Sequence, residues 1–277
     1  MVGGSKPTDG GNFILTAEEK TEAISKEPLI GKYIRPFVNA KEYLTGENRY
    51  CLWLVDANPA EIRVSKFIND RIEKVKSFRQ SSVAASTRNY PHHSLFRQIN
   101  QPNSDYIIVP STSSEKRKYI PFGYLSKDVI ISNASFSIEN SSLYHLGTLL
   151  SEMHMTWVRY TCGRLKSDFR YSKDIVYNNF PWPETPTDKQ RQVVEEATQA
   201  VLNARTQFPD CSLADLYHPN SMKPLLVKAH QQLDKAVDQC YRSQPFTSEA
   251  KRIEYLFELY EKYTSGMFVV EKKNKQK

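Results

Sequence analysis

The chain has 277 residues, 39% hydrophobic and 25% charged, with a formal net charge of +7. That is long enough for two domains and is an ordinary soluble globular composition. No apolar run approaches the ~18 residues of a membrane span, and the start, MVGGSKPTDGG, lacks the basic and apolar regions of a signal peptide. The expected compartment is therefore the cytoplasm, with no membrane partner.

The charge is uneven. Residues 31–185 carry 21 Lys+Arg against 14 Asp+Glu, a net of +7, whereas residues 1–30 carry −2 and residues 186–277 carry +2. A basic segment between near-neutral flanks points to a polyanionic partner, although a basic face also serves solubility alone. Cys51, Cys162, Cys211 and Cys240 stand far apart without CxxC or Cys/His spacing, so they read as buried free thiols and indicate neither a zinc site nor a disulfide framework.

Residues 1–30 read as a connector, with Thr16-Ala17-Glu18-Glu19 opening a short helix. Asp9 with Glu18 and Lys20 loosely matches a D…ExK nuclease pattern, but without the strand that normally presents its carboxylates. From Lys32 the texture becomes β. Residues 49–55 read as a buried strand, after which Asn58-Pro59-Ala60-Glu61 starts a helix. Ile62, Phe67, Ile68, Ile72, Val75 and Phe78 give that helix an apolar face to about Gln80, while Arg71, Lys74 and Lys76 face elsewhere.

Short strands are expected at 106–109, 119–124, 129–132 and 136–138. In the loop 111–118, hydroxyls precede Lys116, Arg117 and Lys118, which can grip phosphate or serve only solubility. Asn133-Ala134-Ser135 permits close approach of a groove or simply makes a turn. A helix capped by Ser141 or Ser142 is expected to run to about Thr161. Its histidines, His145 and His154, make no HExxH arrangement and read as structural.

Trp157 to Lys173, WVRYTCGRLKSDFRYSK, alternates. Arg164, Lys166, Asp168 and Arg170 share one parity and Leu165, Ser167, Phe169 and Tyr171 the other. If the segment is extended, four charged side chains project together while Leu165, Phe169 and Tyr171 anchor the back. Lysine or arginine can donate to guanine O6 and N7, and aspartate can accept from cytosine N4, so Lys166 and Asp168 form a pair able to read one G·C. The plainer reading is a half-buried strand with a solvated face.

Residues 175–183 read as a strand halted by two prolines, with a domain boundary just after. Helices follow from Asp188, near Lys223 to Tyr241, and from Thr247, forming a small bundle. The Lys-rich tail is expected to be disordered. Glycine-rich phosphate or dinucleotide loops, GxSxG, a convincing Cys–His pair and the [DN]PP[YF] motif are all missing, so the chain is expected to perform no covalent chemistry itself and to hold no cofactor.

From residue 31 to about 263 the chain resembles the type IIL restriction-modification enzymes of the MmeI kind, single polypeptides that join an endonuclease, an adenine-N6 DNA methyltransferase and a DNA-reading domain. The resemblance is carried by GKYIRPF (31–37), RYCLWL (49–54), SSEKRKYIPFG (113–123), SNAS (132–135), MHMTWVRYTCGRLKSDFRYS (153–172) and IVYNNFPWP (175–183). It implies an α+β fold: a mixed β-sheet target-recognition domain with packed helices over 31–185, a C-terminal helical bundle over 186–265, a connector over 1–30 and a tail over 266–277. The implied function is double-stranded DNA recognition, with Lys166 and Asp168 reading one base pair and Arg170 with Ala134 or Ser135 reading adjoining positions. Arg164, Lys116, Arg117 and Lys118 are the candidate backbone contacts. The implied parent holds upstream methyltransferase and endonuclease domains that use S-adenosylmethionine and Mg2+. Two rival readings are a protein-interaction scaffold and a stand-alone nuclease built on Asp9, Glu18 and Lys20.

Overall fold

The computed structural model describes residues 1–269, with side chains to residue 265. The expected tail falls outside the described residues from 270 onward. Two compact units are present: Met1–Pro110 with Tyr124–Asn140, and Ser111–Gly123 with Ser141–Lys277. The boundary expected near residue 185 falls inside the second of them.

The first unit is built on two four-stranded sheets. One runs in the order Val2–Gly3, Ser135–Glu139, Tyr106–Pro110, Gly123–Leu125; the other runs Ile14–Leu15, Tyr50–Leu52, Ile34–Val38, Ile130–Ile131. Most pairs are antiparallel, but Ile34–Val38 and Ile130–Ile131 are parallel, giving the mixed character expected. Residues 1–30, read as a connector, supply two of these strands and the helix Ala17–Lys26. That helix starts at a reciprocal cap in which Thr16 Oγ1 accepts from Glu19 N–H at 3.2 Å and the Glu19 carboxylate accepts from Thr16 N–H at 2.9 Å. Phe13, Leu15, Phe37, Leu52, Ile68, Val75 and Phe96 form a core on the second sheet.

The single helix expected to Gln80 is two, Pro59–Val64 and Lys66–Gln80. Ser65 breaks it. Its backbone is extended, its hydroxyl accepts from Ile68 N–H at 3.1 Å, and the same hydroxyl donates to Glu27. A serine that caps a new helix while bonding a distant carboxylate outweighs the apolar periodicity running through it. Near the end of the second helix, Arg79 is fully buried, and its guanidinium donates to the carbonyls of Pro7, Thr8, His92 and Leu95 at 2.7–3.0 Å. It ties the loop beyond the helix to the N-terminal turn.

The second unit is helical around a small three-stranded sheet, ordered Gly163–Leu165, Asp168–Arg170, Thr112–Ser113. Here too an expected helix is two, Leu143–Leu150 and Glu152–Thr161, separated at the extended Ser151. The first N–H of the new helix, on Glu152, is taken up by the Asp234 carboxylate at 2.7 Å. In the first helix, Gly147 permits close packing, since a Cβ there would stand 2.0 Å from Thr198 Oγ1 and 2.9 Å from Val194 Cγ1. Residues 119–122, expected as part of a strand, are buried without a ladder; the strand begins only at Gly123. The strand expected over 175–183 is absent as well. Lys173–Tyr177 is instead a π-helical turn, where the Ser172 hydroxyl accepts from Ile175 N–H and the Trp157 indole donates to the Val176 carbonyl at 3.0 Å. The helices Asp188–Thr206, Pro224–Tyr241 and Glu249–Val269 form as their periodicity requires, with a short additional helix at Leu213–Leu216.

Candidate nucleic-acid interface

The alternating stretch is a hairpin, not one extended strand. Gly163, Arg164 and Leu165 pair with Arg170, Phe169 and Asp168 respectively, leaving Lys166 and Ser167 as a two-residue loop. Of these two only Lys166 has positive φ, at +56°, the pattern of a turn whose first central position favours glycine. The reversal corrects the expectation that Arg164, Lys166, Asp168 and Arg170 share a face. Directly opposed residues of an antiparallel pair project together. Arg164 therefore goes with Phe169, while Asp168 and Arg170 go with Leu165 and Gly163.

Phe169 anchors the ribbon. Its ring is 2% exposed, which contributes about 1.5–3 kcal/mol of hydrophobic stabilisation. Arg164 covers that ring at 4.1 Å, donates to the Ser167 carbonyl at 3.1 Å and stands 3.6 Å from the Glu115 carboxylate. The strand is further held by pairing with Thr112–Ser113 and by Tyr171 N–H donating to the Ser111 carbonyl at 2.9 Å. Beneath it, the Tyr171 hydroxyl meets His154 Nε2 at 2.9 Å, and His154 Nδ1 lies 2.9 Å from the Leu149 carbonyl. Burial pushes His154 down to about 3, so the ring is neutral: Nδ1–H donates to the carbonyl and Nε2 accepts from tyrosine. His154 is thus a structural histidine, as its spacing indicated.

Above this base, the Asp168 carboxylate accepts no hydrogen bond from any described residue, and Lys166 and Arg170 are exposed. Arg117 is half-buried, and its Nε has no hydrogen-bond partner among the described residues. Burial pulls its guanidinium below the ordinary value while the field of Asp168 works the other way. Lys116 is exposed; Lys118 is exposed too, over the Tyr119 ring at 5.2 Å, with its carbonyl accepting from Arg159. Sequence reasoning missed Glu115 as the partner of Arg164, because nothing in the local pattern marks it.

Ala134 and Ser135 belong to the first unit, the hairpin to the second. Ala134 is exposed in a turn where its N–H donates to Ser132 Oγ at 3.2 Å, whereas Ser135 is fully buried in the strand facing Pro110. The expectation that Ser135 could meet a base is corrected by that burial.

The three nuclease-like residues each have a local structural setting. Asp9 is 4% exposed and its carboxylate accepts from Gly11 and Phe13 N–H at 3.1 and 2.6 Å, shaping a turn. Glu18 lies in the first turn of a helix, and Lys20 covers the Tyr50 ring at 4.0 Å. Among the described residues, no group of three or more His, Cys, Asp and Glu is placed to hold a metal ion. No described helix is long and apolar enough to cross a membrane.

Comparisons with known proteins agree with this architecture. The sequence model of the MmeI target recognition domain matches residues 1–184, and that of the MmeI C-terminal domain matches residues 186–268. The chain is 39% identical over 262 residues to DNA methyltransferase A of Bacillus subtilis (strain 168), covering 94% of this chain and 30% of that protein. A solved structure of the type IIL restriction-modification enzyme MmeI in complex with DNA is 46% identical, with a TM-score of 0.90 over 95% of this chain and 35% of that one. The chain therefore spans about a third of each relative, and it belongs to the MmeI family, comprising that family's target recognition domain and C-terminal domain.

Proposed function

We propose that this chain is the specificity module of a restriction-modification enzyme. It recognises a double-stranded DNA sequence on behalf of an adenine-N6 methyltransferase and an endonuclease carried by the rest of the same polypeptide. The observation that carries the reading is the hairpin tip, where Lys166 and Asp168 stand two residues apart with no side-chain hydrogen bond to a described residue, on a ribbon anchored by the buried Phe169. Lys166 donates to guanine, Asp168 accepts from cytosine N4, and together they read one G·C pair.

Arg170 and Ala134 take adjoining positions; Ser135 is set aside because it is buried. Lys116 and Lys118 are exposed cations for phosphate, whereas Arg164 and Arg117 act from positions fixed by Glu115 and by burial near Asp168. Residues 1–185 form the reading domain, residues 186–265 help hold DNA or dock to the methyltransferase, and S-adenosylmethionine and Mg2+ are bound by the other domains.

The test is a double exchange, Lys166→Glu with Asp168→Arg, followed by selection of bound duplexes from a random library. Preference at one base pair should switch away from G·C, with a discrimination of about 1–3 kcal/mol, while other positions are kept. Unchanged specificity overturns the assignment.

A further inference from the structure

Leu165 is the large side chain on the hairpin that the reading above leaves unused. It is 52% exposed, although the buried Phe169 lies only one position beyond its cross-strand partner. That partner is Asp168, directly opposite in the ladder, so the two side chains rise from one face with Cβ atoms about 4.5–5.5 Å apart. An exposed leucine on a two-residue hairpin finds no core on that face, whereas the face carries the carboxylate assigned to cytosine N4.

The chemistry of a pyrimidine edge gives this pairing a meaning. In the major groove C5 is the ring atom next to the one that bears N4, or O4 in thymine. An apolar side chain beside the acceptor for N4 therefore covers C5, where cytosine has hydrogen and thymine has methyl. Thymine satisfies the leucine but presents O4, an acceptor, to the Asp168 carboxylate. Cytosine satisfies the carboxylate but gives the leucine no methyl. The base that answers both is 5-methylcytosine.

We propose that Leu165 is a specificity-determining residue that senses the C5 substituent of the pyrimidine read by Asp168, and that this position binds 5-methylcytosine more tightly than cytosine. The proposal rests on the assignment of Asp168 to cytosine. Cytosine-C5 methylation at that pair then does not shield DNA from this reader.

The experiment uses the whole chain and its selected duplex, with each cytosine replaced in turn by 5-methylcytosine, and measures Kd for the wild type, Leu165→Ala and Asp168→Asn. Asp168→Asn identifies the pair by losing discrimination there. At that pair the wild type should bind the methylated duplex about 3-fold more tightly, the effect of one buried methyl group. In Leu165→Ala the ratio of methylated to unmethylated affinity should fall to about 1; because the removed methyls are half-exposed, an unchanged melting temperature serves as the folding control. An equal ratio in both proteins, or weaker wild-type binding to methylated DNA, overturns the role of Leu165 and leaves the base reading intact. If Asp168→Asn changes discrimination at no pair, or the chain binds no duplex, the base reading falls and the role of Leu165 with it.

Discussion

Lys166 combines an unfavourable backbone with the side chain the proposed function needs. A non-glycine residue at φ +56° sits where Cβ crowds the following carbonyl, at a cost of roughly 1–2 kcal/mol. Strain of this kind clusters at functional positions, where the surrounding structure over-determines it. Here the surroundings are the paired strands on either side and the buried Phe169 beneath. Lys166→Gly relieves the strain but adds about 0.5–1 kcal/mol of backbone entropy cost, leaving stability unchanged or raised by up to about 1.5 kcal/mol. Thermal melts should therefore show no loss, while base discrimination at the Lys166 position disappears. A clear fall in melting temperature would mean that the ammonium contributes to the fold.

Serines placed the element boundaries that hydrophobic periodicity did not reveal. Ser65 and Ser151 each interrupt an apolar pattern that continues across them, because a side-chain acceptor for the next helix start outweighs one more turn of helix. The hairpin was hidden for a related reason. Lys166-Ser167 lacks the Asn-Gly or Gly-X signature of a two-residue turn, so period-two alternation alone read as one strand. Packing between elements is most exacting at Gly147. A methyl group there meets Thr198 Oγ1 at 2.0 Å, in a helix surface already touching Val194 and Leu233. Gly147→Ala gains helix propensity yet should destabilise the protein by about 1–3 kcal/mol through overpacking, measured by chemical denaturation. The companion change Thr198→Ala should recover part of that loss.

At the scale of the molecule, pH acts through a buried network in the second unit. Asp234 accepts from the Tyr119 hydroxyl at 2.6 Å and from Glu152 N–H, and burial raises its carboxyl to about 6. A folded-state value above the unfolded one means that this group's contribution is fully present below about 4 and is lost as pH rises through about 6. Burial holds His154 and His230 below their ordinary value, which works in the opposite direction, so the difference between wild type and Asp234→Asn isolates the aspartate. Relative to that variant, the wild type should lose on the order of 2 kcal/mol between pH 4 and pH 7; a flat difference curve would show that Asp234 stays ionised. The sequence by itself determined the α+β class and the three long helices of the bundle, because apolar periodicity and cap residues are local properties. Only the tertiary structure decided that Arg164 turns away from Asp168, that Ala134 is exposed while Ser135 is buried, and that Asp9 shapes a turn. Each of these depends on which distant strand or backbone group a residue meets, and pairing register and burial arise only when the whole chain is folded.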